Sequence, residues 1–210
     1  QTYFFIADLA DALESEKVCC EIKNNIGIPD IIINNAGGGQ FKTMKQAHIS
    51  DAVKAMGAPY FSSYHLTCFF FNDFCTRNTG CLLFVNTPAA YFPFPYTLTY
   101  SSTRWALRAM IRCLRLELKN TNILVTEVIP GLTASNYFAN NNMPEDQHIP
   151  TINSYLFKKL SSEEVASSIY KGISKGKKLI VPQKLMHLIL PLSQIFPKLF
   201  DKLLMWKKNK

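Results

Sequence analysis

LLFVNTPAAYFPFPYTLTYSSTRWALRAMIRCLRLEL, residues 82–118, opens on an unbroken apolar run, turns through three prolines and closes on a long amphipathic pattern. Leu82, Leu83, Phe84 and Val85 show no polar alternation, which suits a strand buried on both faces. Leu107, Met110, Leu114 and Leu118 recur at helical spacing, so a helix near 100–119 should lay that face on a sheet. Strand followed by helix is half of a βαβ unit, and the theme repeats on either side. Further strands are expected at 2–7, 30–34, 123–128 and 178–181, and helices near 9–25, 50–77 and 161–174. Such alternation predicts an α/β fold with a parallel sheet. The helix at 161 is announced by Ser161 and Glu164, a capping-box pair. The stretch 132–158, with Asn140-Asn141-Asn142 before Pro144, reads as an irregular loop or lid.

With 210 residues, 48% hydrophobic and 18% charged, the chain has the size and composition of one globular domain. Its charge is unevenly divided. Residues 171–210 hold ten Lys and one Asp, a net of +9, whereas 1–170 hold 13 Lys/Arg and 14 Asp/Glu, a net of −1; together they make the chain's +8. A nucleic-acid-binding protein would carry its basic residues on a face of the body, so that class is set aside. The division instead marks a body, 1–182, and a basic amphipathic tail, 183–210. In the tail Ile195, Phe196, Leu199, Phe200, Leu203 and Trp206 recur at helical spacing. Pro191 and Pro197 interrupt it, and no apolar run approaches the ~18 residues of a membrane span. An interfacial helix at a membrane surface, packing on the body, and a homodimer contact all fit this pattern. The six cysteines, Cys19, Cys20, Cys68, Cys75, Cys81 and Cys113, form no CxxC pair and lie in or beside apolar stretches. They read as small hydrophobes in a reducing compartment and offer no metal site. The expected location is intracellular, cytoplasmic or peripheral at an internal membrane.

Four ordered segments resemble the short-chain dehydrogenase/reductase family. Asn34-Asn35-Ala36-Gly37 after the apolar Ile31-Ile32-Ile33 is similar to the family's NNAG motif. The 82–118 block resembles its catalytic segment, in which a Ser stands thirteen residues before YxxxK. VTEVIPGLTAS, 125–135, resembles the strand ending in PG that covers the nicotinamide. Asp8-Leu9 is similar to the acidic position after the third strand, near the adenine. The resemblance spans 1–182 and implies a Rossmann-like, doubly wound parallel sheet in the order 3-2-1-4-5-6-7. It places the first two strands and the glycine-rich loop, about 50–60 residues at ~30 per βα unit, outside this chain. No GxGxxG occurs among the 210 residues.

The resemblance further implies a catalytic Tyr that exchanges a proton with the substrate oxygen, and a Lys that electrostatically favours the ionised Tyr and holds the nicotinamide ribose. It also implies a Ser that orients substrate and an Asn on a kinked helix that positions water. Tyr100 matches the Tyr. Arg104 stands in place of Lys, keeping the charge but unable to release a proton; with Arg108 and Arg112 it also reads as a solvated helix stripe. Thr87 stands at the Ser position and Pro59, 28 residues earlier, at the Asn position. Asp8, Asn34, Ala36, Gly37 and Thr133 match nucleotide-lining positions, with Tyr100 and Arg104 completing the cofactor set. The cofactor implied is NAD or NADP; the residues that choose between them lie outside the chain. Two readings follow. One is an NAD(P)-dependent oxidoreductase of a small lipophilic alcohol or ketone, of steroid, retinoid or fatty-acyl type, with Tyr91, Phe92, Phe94 and Tyr96 as an apolar wall. The other is a catalytically impaired relative serving as a scaffold, with a membrane-binding tail.

Overall fold

The computed structural model describes residues 1–94, 96–141 and 159–206. Strands β1 (Ile31–Asn34), β2 (Gly80–Val85), β3 (Ile123–Val128) and β4 (Leu179–Ile180) lie side by side in chain order, every pair parallel. Helices α1 (Ala12–Asn25), α3 (Ser62–Arg77) and α4 (Leu98–Glu117) cover one face, and α6 (Ser162–Ile173) lies on the other. The strand period of two sorts the residues. Ile32, Leu82, Phe84 and Val125 pack with Phe70, Phe74, Leu107 and Ile111, while Cys81, Leu83, Val128 and Ile180 pack under Ile169 and Ile173. Leu107, Leu114 and Leu118 are buried as their spacing predicts, and Met110 packs against them. Caps fix the helix starts. Asp11 accepts from Glu14 N–H at 2.9 Å, and Ser161 and Glu164 exchange bonds of 2.8 and 3.1 Å.

The strand expected at 2–7 does not form. Phe5 and Ala7 turn to the core and Phe4 and Ile6 to solvent, as in a strand. No strand among the described residues lies beside them to supply ladder bonds, and the segment stays irregular. The helix expected at 50–77 is likewise divided, into α2 (Asp51–Met56), a π-helical turn (Gly57–Phe61) and α3. Pro59 has no N–H for the carbonyl one turn back, and the turn widens around it. Its own carbonyl accepts from Ser63 Oγ at 2.8 Å, and Ser62 Oγ bonds the Ala58 carbonyl.

Among the described residues β1 is the sheet's outer strand, and Ile31 and Ile33, in register with Cys81 and Leu83, lie on α6's face but beyond its cover, 45% and 52% exposed. An apolar free edge is a template for pairing between copies. Ile33→Lys should therefore suppress light scattering by concentrated protein while changing stability by no more than about 0.5 kcal/mol. Scattering that matched the parent's would place the sticky surface elsewhere.

The cysteines are free; Cys19 and Cys81 are buried and the other four exposed. Four thiols should therefore react promptly with a disulfide reagent in the folded protein, and two only on unfolding; six prompt thiols would contradict this packing. Burial, then the neighbouring Cys20, pushes the Cys19 thiol from 9.0 up to about 11. Between those values the unfolded chain releases a proton that the folded chain keeps, so Cys19's contribution to stability falls as pH rises.

The tail lies on the body. Helix α7 (Met186–Ile195) and helix α8 (Pro197–Trp206) bury Met186, Leu190 and Leu204 against Tyr91, Phe92, Ile129 and Val181. Among the described residues no helix is long and apolar enough to cross a membrane.

Candidate functional site

The carboxyl ends of β1, β2 and β3 open on one edge of the sheet, where the loops that follow them meet the start of α4. Tyr100 lies in the first turn of α4 and Arg104 one turn on, so their side chains share a face. The Arg104 guanidinium carbon sits 5.3 Å from the centre of the Tyr100 ring. Arg104 is 5% exposed, so it does not belong to a solvated stripe. Its Nη1 donates to the Val85 carbonyl at 3.2 Å, while its Nε has no acceptor among the described residues. Arg108 is also engaged, stacking 3.7 Å from the Tyr91 ring and donating to Ala90 O and Gln194 Oε1.

Arg104 reaches inward because Gly37 lets it. A Cβ at position 37 would stand 2.5 Å from Arg104 Nη2. Asn35, Ala36 and Gly37 are exposed at the end of β1, and Asn34 is buried, its Nδ2 donating to the Leu83 carbonyl at 3.3 Å. Gly39 approaches Tyr100 and Tyr137 so closely that a Cβ would lie 3.0 and 2.9 Å from them. Pro59 faces the same region, in a cleft of about 280 Å³ shared with Gly38, Gly39, Lys54 and Asn141. Thr87 stands two residues past β2, where its hydroxyl caps the short turn Pro88–Ala90, accepting from Ala89 N–H at 3.4 Å.

Two expected cofactor positions are engaged in turns outside this cluster. Asp8 accepts from Ala10 N–H at 3.0 Å, and its own N–H donates to Glu14, shaping the entry to α1. Thr133 bridges to Leu160 and so pins the loop after β3. That loop turns at Gly131, where φ is +73° and a Cβ would strike Gln183.

Tyr137 was not singled out in the sequence. It stands in helix α5 (Tyr137–Asn140), and its ring lies 6.5 Å from that of Tyr100. Burial, then the nearby Tyr100, raises its hydroxyl above the ordinary tyrosine range, and Arg104 opposes the shift. Asn141 Oδ1 accepts from Gly39 N–H at 2.7 Å, so the loop closes on the glycine run at two points. The only signal for Tyr137 was its place six residues past Gly131.

The expected aromatic wall divides. Tyr91 and Phe92 are core residues, 9% and 2% exposed; Phe94 and Tyr96 are half-buried. Tyr91 OH donates to Glu127 Oε2 at 2.9 Å, and Asn86 Nδ2 donates to Glu127 Oε1 at 2.8 Å. Glu127 is 1% exposed. Asn86 Nδ2 also reaches the Arg104 carbonyl at 3.4 Å, so a buried polar network lies directly behind the site.

A nicotinamide nucleotide fits this edge at one end. The buried Nε–H of Arg104 is a donor that a sugar hydroxyl would satisfy, beside the Tyr100 ring. The pyrophosphate end calls for a glycine-rich turn at a helix start, a sequence these 210 residues do not contain. Among the described residues no group of side chains is arranged to hold a metal ion.

A family model described as short chain dehydrogenase matches residues 1–146. The chain is similar to "Dehydrogenase/reductase SDR family member 7B" of Mus musculus, 26% identical over 178 residues, covering 85% of this chain and 55% of the relative. It is also similar to "Dehydrogenase/reductase SDR family member 7C" of Mus musculus, 29% identical over 180 residues, 82% of this chain and 56% of the relative. The chain thus spans little more than half the length of these relatives. Among solved structures, a short chain dehydrogenase/reductase from Burkholderia phymatum in complex with NAD superposes with a TM-score of 0.78 at 15% identity. That match covers 92% of this chain and 75% of the other. A short-chain dehydrogenase from Sphingobium yanoikuyae in complex with NADPH gives 0.71 at 19%, covering 85% and 66%. At these identities the likeness is one of fold.

Proposed function

The chain belongs to the short chain dehydrogenase family, and from that premise we propose that it is the catalytic part of an NAD(P)-dependent oxidoreductase of a lipophilic alcohol or ketone. The observation that carries this reading is Tyr100 and Arg104, one helical turn apart beside the glycine run that follows β1. A bound nicotinamide supplies or accepts the hydride. The chain's own task is to hold the substrate oxygen and move a proton at the Tyr100 hydroxyl. Arg104 contributes a fixed positive charge and a donor for a ribose hydroxyl, but no proton relay. Thr87 keeps a hydroxyl just past β2, and Pro59 has only a carbonyl, already accepting from Ser63. The lipophilic substrate class rests on Phe94 and Tyr96, since Tyr91 and Phe92 belong to the core.

A second reading is an impaired relative that keeps the scaffold. It is favoured by Arg104 Nη2 crowding Gly37, 2.5 Å from where a Cβ would stand, and by the Tyr137 ring lying 6.5 Å from that of Tyr100. The test uses a protein with a nucleotide half, native or grafted from a relative, and follows nicotinamide absorbance with long-chain ketones and alcohols. Slow turnover above the blank supports the first reading. Silence from both the parent and Arg104→Lys, in protein that binds the cofactor, leaves the second.

A further inference from the structure

We propose that the outer face of α7 and α8 docks on an anionic lipid bilayer. The two helices already spend one apolar face on the body, where Met186, Leu190 and Leu204 are buried. Their other face presents Leu188, Leu192, Ile195, Phe196, Leu199 and Leu203, each between 44% and 65% exposed. This row is not spare core, because the core beneath it is complete without it. A contiguous apolar ridge of this kind marks an interaction surface.

The charge beside it selects the partner. Lys198 and Lys202 are exposed on α8 and Lys184 on the turn that leads into α7, and residues 171–210 carry ten Lys against Asp201 alone. An isologous dimer through this face would set two such lysine groups against each other, because a two-fold axis repeats the same patch on both copies. An anionic surface instead neutralises the lysines while the leucines enter the headgroup boundary. No described helix is long enough to span, so the contact lies in the plane of the interface. The inference concerns binding alone and holds whether or not the chain turns over substrate.

Flotation of the full chain with vesicles tests it, using phosphatidylcholine alone and phosphatidylcholine with about one quarter phosphatidylserine. The chain should float with the anionic vesicles, not with the neutral ones, and be released as salt rises. Leu188→Ser with Ile195→Ser, and separately Lys198→Glu with Lys202→Glu, should each lower the bound fraction at least about tenfold. Thermal melting should stay near the parent's, because all four side chains are exposed. Ile33→Lys, on the other exposed apolar surface, should bind like the parent. Failure to float with anionic vesicles overturns the proposal, as do equal binding to neutral vesicles and a charge-reversed variant that still binds. If the serine variants turned a sedimenting dimer into monomers while vesicles were ignored, the face would belong to a second copy.

Discussion

Tyr100→Phe is expected to take turnover to the level of the blank in a protein that carries a nucleotide half. On the proposed function the Tyr100 hydroxyl exchanges the proton with substrate, and removing a general acid–base group costs typically ~10²–10⁴ in rate. Arg104→Lys should move the rate the other way, up by about tenfold, which corresponds to about 1.4 kcal/mol of barrier. The structure adds a cost to that gain. Arg104 Nη1 holds the Val85 carbonyl, and its guanidinium packs on Gly37 and the Tyr100 ring. A lysine would give up that packing, so Arg104→Lys should be faster and less stable, by about 1–2 kcal/mol in urea unfolding. Thr87→Ser should change the rate little, since the hydroxyl is retained. If Tyr100→Phe keeps the parent's rate, the proton is exchanged elsewhere. If Arg104→Lys slows an already brisk enzyme, the arginine is an adaptation and not an impairment.

Glu127→Ala should be the most damaging single change behind the site, costing about 3 kcal/mol or more. The carboxylate is 1% exposed and accepts from both Asn86 and Tyr91. Each hydrogen bond to a charged group contributes about 1.5–3 kcal/mol, and truncation strands two buried donors in addition. Glu127→Gln keeps the shape and one acceptor, and should cost less than half as much. The same network has a pH signature. Burial, then Glu127, raises the Tyr91 hydroxyl far above its ordinary value of 10.0. Above that value the unfolded chain ionises and the folded chain does not, so Tyr91's contribution to stability is lost as pH rises. Glu127→Ala should flatten that alkaline limb. Urea midpoints across the alkaline range measure both effects, and an alanine variant within about 1 kcal/mol of the parent would show that the network is not needed for the fold.

Features fixed by local chemistry were legible in the sequence. The unbroken apolar run of β2, the β-branched residues of β3, the Ser161–Glu164 capping box and the leucine row of α4 depend only on near neighbours, and the structure forms each of them. The segment 2–7 has the composition of a strand, but a strand also needs a neighbour, and that requirement is non-local. The aromatic run 91–96 could not disclose that Tyr91 and Phe92 serve the core, because their partners, Glu127 and Phe200, lie far along the chain. Tyr137 meets Tyr100 by loop closure across the site, and no periodicity encodes such a contact. The inward turn of Arg104 depends on a missing Cβ at Gly37, a fact about space rather than about either residue type.

The π-helical turn at Gly57–Phe61 bears on how this part of the chain can change in length. Such a turn accommodates one residue more than an α-helical turn, and one residue corresponds to a rotation of about 100°. Deleting a residue from 57–61 would join α2 and α3 into a continuous rod only by spinning α2 through that angle. Asp51, which holds Lys42 Nζ at 2.9 Å and the His48 N–H at 2.8 Å, would swing away from both. Ala55 would leave the cleft wall it shares with Pro59. The segment should therefore tolerate many exchanges of one side chain for another at Ala58, yet resist a change in count.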